Sequence, residues 1–281
     1  MSRSPMIRSI RVVLLLGAIL FLAPLAEAIV VAPHHTFMDH RTRSGVIYLH
    51  NPGTEPEEVS ISFFFGYPAS DSAGDVSIKA VEDPGPDDPS AAGWIRAYPR
   101  RVMVGPGETR AVRLLAQPPA DLPDGEYWAR AVVASQGSQV PLESPDSGLV
   151  TVGLTLEVRT VVPVTYRKGE VHTGVVLSKL ERSVVGDSLV TKVGMQRTGN
   201  AAFLGTLHLT LQNAAGEVAL EVHRQVAVYR DLLKRVSLPI GDLPPGDYTL
   251  HVRLDTERSD LDLENVLPAQ AVETSVEVQL P

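Results

Sequence analysis

The sequence predicts an all-β protein built as two β-sandwiches in tandem. Short runs rich in Val, Leu and Thr alternate with turn signals along most of its 281 residues, punctuated by 22 Gly and 22 Pro. No stretch before residue 160 carries a sustained helical apolar period. One turn-and-strand motif occurs twice, and a chain of this length suits two domains of ordinary size.

The repeated motif sets the type of sandwich. Leu122-Pro123-Asp124-Gly125-Glu126-Tyr127 precedes a strand-like run at 128–133, and Leu243-Pro244-Pro245-Gly246-Asp247-Tyr248 precedes another at 249–254. Both have the form L-P-x-G-acid-Y, and each follows a similar apolar run, at 109–114 and 234–238. A Tyr that opens a late strand after a Pro/Gly turn is the trace of a tyrosine corner, whose hydroxyl bonds back to nearby backbone. Tyr127 and Tyr248 are therefore the expected structural corners of two immunoglobulin-like sandwiches. We place the first domain at 29–165 and the second at 166–281.

Residues 1–28 read as a secretory leader. Arg3, Arg8 and Arg11 give a basic start, residues 12–22 are apolar, Pro24 breaks the run, and Ala26-Glu27-Ala28 offers small residues for cleavage after Ala28. The apolar run is short for a membrane span, so export to the periplasm without stable membrane insertion is expected. Removing three Arg and one Glu from 25 basic and 33 acidic residues leaves a net charge of −10. That balance lacks the basic footprint of a nucleic-acid binder. The chain has no cysteine, so no disulfide supports either domain, and thiol nucleophiles, CxxC redox chemistry and thiolate metal sites are excluded.

The elements follow in order. Residues 45–50 form a strand closed by Asn51-Pro52-Gly53, and 59–65 another, ending in Gly66-Tyr67-Pro68. Residues 69–93 are polar and acidic and read as an irregular surface excursion around Asp83-Pro84-Gly85-Pro86-Asp87-Asp88-Pro89. Extended runs resume at 94–98, 101–104 and 109–115. Tyr166-Arg167-Lys168-Gly169 reads as the corner into the second domain, where strands are expected at 174–181, 188–196, 205–212, 218–229 and 271–280. Residues 231–234 suit one helical turn, and acidic 257–268 suit a loop.

One segment reads as a binding element. Val150, Val152, Leu154, Leu156 and Val158 fall on one face of an extended strand, and Thr151, Gly153, Thr155, Glu157 and Arg159 on the other. It is the last strand of its domain and can lie at a sheet edge, where unpaired N–H and C=O groups accept another strand. The same five apolar residues would equally serve their own core.

Several motifs, in order, resemble the periplasmic pilus-chaperone family. Residues 45–51 are similar to its second strand ending in Asn. Trp94-Ile95 through Tyr98-Pro99, with Arg101-Val102 and Pro106-Gly107, resemble its central Pro-containing stretch. Leu122-Pro123-Asp124-Gly125-Glu126-Tyr127 resembles its Leu-Pro-x-x-Glu signature, residues 152–158 its donor strand, and Tyr166-Arg167 the Tyr-Arg ahead of its second domain. The resemblance implies two immunoglobulin-like domains and a donor strand that completes the sandwich of a pilin-like, β-rich exported subunit. It also implies an outer-membrane usher as a further partner, and a basic pair in the interdomain cleft that anchors the subunit's terminal carboxylate. Here His35 stands where the family has its first-strand Arg, and Pro163 where it has its Lys. His35, when protonated, with Arg159 and Arg167 are the candidate carboxylate anchors.

Other chemistries find little support. Pro33-His34-His35 with Asp39-His40 reads as the only histidine cluster, without further ligands at helical or hairpin spacing, so neither a metal nor a cofactor is expected. The remaining histidines, His50, His172, His208, His223 and His251, are scattered in strands. There is no G-x-S-x-G elbow, phosphate loop or HExxH, and no enzyme is expected. The alternative to a chaperone-like role is a structural or adhesive module of a surface appendage.

Overall fold

A computed structural model describes residues 28–136 and 156–281. The leader, and Val150, Val152 and Leu154, lie outside the described residues. Among the described residues no helix is long and apolar enough to cross a membrane.

The first domain comprises β1 (Val30–Ala32), β2 (Thr36–Asp39), β3 (Ser44–His50), β4 (Glu57–Ser70), β5 (Val76–Val81), β6 (Ile95–Tyr98), β7 (Arg101–Val104), β8 (Thr109–Ala116), β9 (Gly125–Gln136) and β10 (Glu157–Lys168). One sheet has the order β1-β3-β8-β6. The other runs β2-β10-β9-β4-β5, with β7 also paired to β4. Alternation explains the packing. Ile47 and Leu49 of β3, Val112 and Leu114 of β8, Ala129, Ala131 and Val133 of β9, and Val162, Val164 and Tyr166 of β10 all face one buried core. The chain changes sheets at Pro33-His34-His35, so β1 pairs antiparallel with β3 while β2 pairs parallel with β10.

The second domain has β11 (Thr173–Val185), β12 (Ser188–Gly199), β13 (Phe203–Asn213), β14 (Val218–Val228), β15 (Asp231–Pro239), β16 (Gly246–Asp255) and β17 (Val272–Leu280). Its sheets are ordered β11-β12-β15 and β14-β13-β16-β17. Leu207, Leu209 and Leu211 of β13 interleave with Leu250, Val252 and Leu254 of β16 and with Leu189, Val193 and Leu238 across the sandwich. Each such buried aliphatic side chain contributes about 1.5–3 kcal/mol, and with no cysteine in the chain burial carries both domains.

The architecture is thus all-β with two sandwiches. Three local readings are corrected. Residues 69–93 are not irregular throughout: β4 runs on to Ser70 and β5 returns beside it, with Asp71 Oδ1 accepting the N–H groups of Ala73 and Asp75 in the turn. Residues 231–234 form no helical turn but open β15, because Leu232 must point into the core. Tyr166-Arg167-Lys168 still belongs to β10, so the corner falls at Gly169 (φ 62°) and β11 begins at Thr173.

The two repeated motifs adopt the same geometry. Tyr127 Oη donates to the Pro123 carbonyl at 2.9 Å, and Tyr248 Oη donates to the Pro244 carbonyl at 2.9 Å. The glycines ahead of them share an unusual backbone angle, φ 155° at Gly125 and 152° at Gly246. The Tyr248 bond is half-buried and the Tyr127 bond exposed. Tyr248→Phe should therefore cost about 1 kcal/mol of stability and Tyr127→Phe less, compared by urea denaturation. Equal costs would mean that burial does not set the strength of these bonds.

Candidate functional site

β10 has two halves with different neighbours. Along its whole length, from Glu157 opposite Gln136 to Lys168 opposite Gly125, it pairs with β9. Its other flank is covered by β2 only from Val164 to Arg167. Among the described residues no ladder forms on that flank of Glu157–Pro163. Pro163 stands where cover ends; it lacks an N–H and suits a strand position with one paired side.

The side chains of this half alternate as an accepting strand requires. Val162, Val164 and Tyr166 point into the core. The same face continues outward through half-buried Thr160 and Val158 to Leu156, which is 60% exposed. Interrupted only by Thr160, this largely apolar face runs off the end of its own sandwich. On the opposite face Glu157 pairs with Arg159 and accepts from Gln136 Nε2 at 3.2 Å, and Val161 lies exposed.

The three candidate anchors do not converge on one point. Arg159 lies on the exposed half of β10, eight residues from Arg167, a separation of roughly 26 Å along the strand. Arg167 is already engaged. Its Nε donates to Glu126 Oε2 at 2.9 Å, its Nη1 donates to the Asn265 carbonyl at 2.8 Å, and its guanidinium lies over the Phe37 ring at 4.9 Å. His35 has its Nε2 2.8 Å from Thr165 Oγ1 and stacks on Phe37. Burial first, and then the Arg130, Arg167 and Arg258 guanidinium groups, push its pKa down from 6.5 to about 3, so the ring is neutral at pH 7. His35 and Arg167 do line one cleft of about 460 Å³, but they share it with Asp39, Asp262 and Glu264. Three carboxylates around an arginine already paired make poor surroundings for a carboxylate guest.

The histidines near the start of the chain are separately engaged. His40 Nδ1 lies 2.5 Å from Tyr166 Oη, and no group of three or more His, Asp or Glu is placed to hold a metal ion among the described residues.

Sequence reasoning missed the residue that organises the junction. Glu126, with its side chain 1% exposed, accepts from Trp128 Nε1 at 2.8 Å, from the Ala202 N–H at 3.0 Å and from Arg167 Nε at 2.9 Å. Around it Phe65, Tyr67 and Trp128 of the first domain pack on Ala202, Leu204 and Tyr229 of the second. Arg130 donates to the Gly66 carbonyl at 3.0 Å and lies over the Tyr229 ring at 5.0 Å. The β4–β5 hairpin extends the junction: the Arg235 N–H donates to the Gly74 carbonyl at 3.0 Å, and the Leu233 N–H donates to Ser70 Oγ at 2.8 Å. The signal lay in the L-P-x-G-acid-Y motif, whose acidic position is buried in the first copy and exposed, as Asp247, in the second.

The chain is similar to solved pilus chaperones. It superimposes on the YadV chaperone with a TM-score of 0.44 at 14% identity, over 90% of this chain and 99% of that one. A chain of the Salmonella enterica SafA pilin–SafB chaperone complex gives 0.41 at 14% identity, over 90% and 99%. The Pseudomonas aeruginosa CupB2 chaperone gives 0.40 at 13% identity, over 89% and 100%. No family model and no curated protein matches the sequence. The likeness is distant, and the role of this chain is argued from its own strands.

Two outcomes test the junction. Glu126→Ala leaves Arg167 half-buried without its counter-charge and should cost about 3–5 kcal/mol in urea denaturation, whereas a cost below 1 kcal/mol would mean water replaces the carboxylate. His35 gives a pH signature. Its folded pKa is depressed, so the stability it contributes is present above pH 6.5 and is lost as pH falls toward 3. Stability should fall by up to about 1.4 kcal/mol per pH unit between about pH 6.5 and 5, a slope that His35→Gln should flatten.

Proposed function

We propose that this protein is an exported, periplasmic chaperone-like protein that binds β-rich secreted subunits by strand addition at β10. One observation carries the reading: Glu157–Pro163 is paired on one flank only, and its inward face runs from buried Val162 out to exposed Leu156. An incoming strand would take the open N–H and C=O groups. The apolar row led by Leu156 and Val158, and by Val150, Val152 and Leu154 before them, would fill a gap in the subunit's core. The class of partner, a pilin-like subunit with an usher downstream, follows from the resemblance carried by the motifs at 94–107, 122–127 and 166–167.

The mode of capture differs from the one the resemblance implies. With Arg167 held by Glu126, His35 neutral and Arg159 remote, no basic pair stands ready for a terminal carboxylate. In this reading affinity and register come from the strand itself.

The test is capture from periplasmic extract followed by hydrogen exchange on the complex. The protein should recover a β-rich client, and amides within 157–163 should become protected on binding. Leu156→Asp combined with Val158→Asp should reduce recovery at least tenfold with thermal stability nearly unchanged, because Leu156 is exposed and Val158 half-buried. Unchanged recovery by the double variant, or unchanged exchange at 157–163, would overturn the proposal.

A further inference from the structure

Far from β10, the outer face of the sheet β14-β13-β16-β17 carries a second constellation. β13 and β14 form a hairpin in which His208 lies directly opposite His223. The register shifts by one residue between Leu211 and Gln212. Without that irregularity His208 would face Val222, and the two imidazoles would sit on opposite faces of the sheet. With it, their Nδ1 atoms face each other at 2.7 Å, the rings edge-to-face with centroids 4.7 Å apart.

The far nitrogen of each ring has a carboxylate behind it. His208 Nε2 sits 3.1 Å from Asp255 Oδ2, within ion-pair range though off the line of a hydrogen bond. His223 Nε2 sits 3.6 Å from Glu221 Oε1. Asp255 is itself held in place: its Oδ2 accepts from Arg253 Nε at 3.1 Å and its Oδ1 from the Glu257 N–H at 3.1 Å.

Neither contact is a hydrogen bond, but each places a carboxylate beside an Nε2 and leaves the two Nδ1 atoms turned toward each other. Carboxylate behind imidazole is the arrangement that orients metal-bound histidines and raises their basicity. In the ion-free pair one Nδ1 donates its hydrogen to the lone pair of the other; a metal ion would take both lone pairs.

We propose that His208 and His223 form a binding site for a divalent transition-metal ion, Zn²⁺ in the first instance, held through their two Nδ1 atoms with water completing the shell. Two Zn–N bonds of about 2.0–2.1 Å at a tetrahedral angle place the nitrogens roughly 3.3 Å apart, so the pair must open by about 0.6 Å. The His223 side chain, 50% exposed, has room to swing, while His208, at 19%, is held by the sheet. The site has two protein ligands, so its affinity falls well short of a structural four-ligand centre. The bound ion would pin β13 to β14 at the edge of the sheet, where among the described residues no further strand pairs with β14.

The experiment uses Zn²⁺ alone and the whole protein, in competition with a fluorescent chelator. One equivalent should bind, and His208→Ala and His223→Ala should each weaken binding at least tenfold. Asp255→Asn, which leaves both ligands in place, should weaken it about tenfold. Histidine ¹⁵N resonances of the unmodified protein provide a check independent of any variant: Zn²⁺ should move the Nδ1 signals of His208 and His223. Failure of the protein to bind Zn²⁺ would overturn the proposal. So would full affinity in the double alanine variant, or movement confined to His34, His35 and His40.

Discussion

Glu126 brings a negative charge into the junction between the two sandwiches, where its side chain has almost no contact with water. A carboxylate there survives only if donors surround it, and its donors come from three segments: the Trp128 indole on its own strand, Arg167 at the end of β10, and the Ala202 N–H in the second domain. The second domain's contact is a backbone group, so the carboxylate specifies the position of the chain rather than a side chain. The aromatic cluster of Phe65, Tyr67, Trp128 and Tyr229 supplies the apolar area, but such packing tolerates sliding. The buried charge does not, because any shift leaves it without partners. It therefore defines the relative placement of the domains while the cluster supplies most of the burial.

That division of labour reaches the open strand. Arg167 and Leu156 belong to the same segment, one end tied at the junction and the other running out beyond the core. Because the inner half of β10 is held by β9, β2 and Glu126 together, the outer half is presented in a single extended conformation. Under the proposed strand addition, an incoming strand would meet groups already ordered, and less conformational entropy would be lost on association. Arg167, bonded to Glu126 and to the Asn265 carbonyl, ties down the inner end of the strand.

How much could be read from the sequence depends on how local each feature is. The tyrosine corners were legible because each hydroxyl bonds a carbonyl four residues back, and the motif contains both partners. The strands around Leu207 and Leu250 were legible from their alternation. β5 was not read as a strand, although Val76, Ile78 and Ala80 alternate with Ser77 and Lys79; its exposed, acidic surroundings masked the period. Residues 231–234 are too few to separate a helical turn from the start of β15. The L-P-x-G-acid-Y motif marks the acidic position in both copies but not its surroundings, because Glu126 and Asp247 acquire opposite environments only once the domains dock. The meeting of His208 and His223 depends on a one-residue irregularity that leaves no mark in composition.

The β4–β5 hairpin illustrates a constraint of another sort. It meets the second domain largely through main-chain atoms, with the Gly74 carbonyl on the Arg235 N–H and the Ser72 carbonyl on Lys192 Nζ, and all but one residue of β5 are exposed. The exposed side chains of β5 are therefore little constrained, whereas Gly74 must keep its bare α-carbon, since a methyl there would lie 2.9 Å from the Arg235 nitrogen. The number of residues between Ser70 and Val76 has no such liberty. One inserted residue would carry the turn past the strand it touches, so the length of this turn is fixed by the partner it reaches.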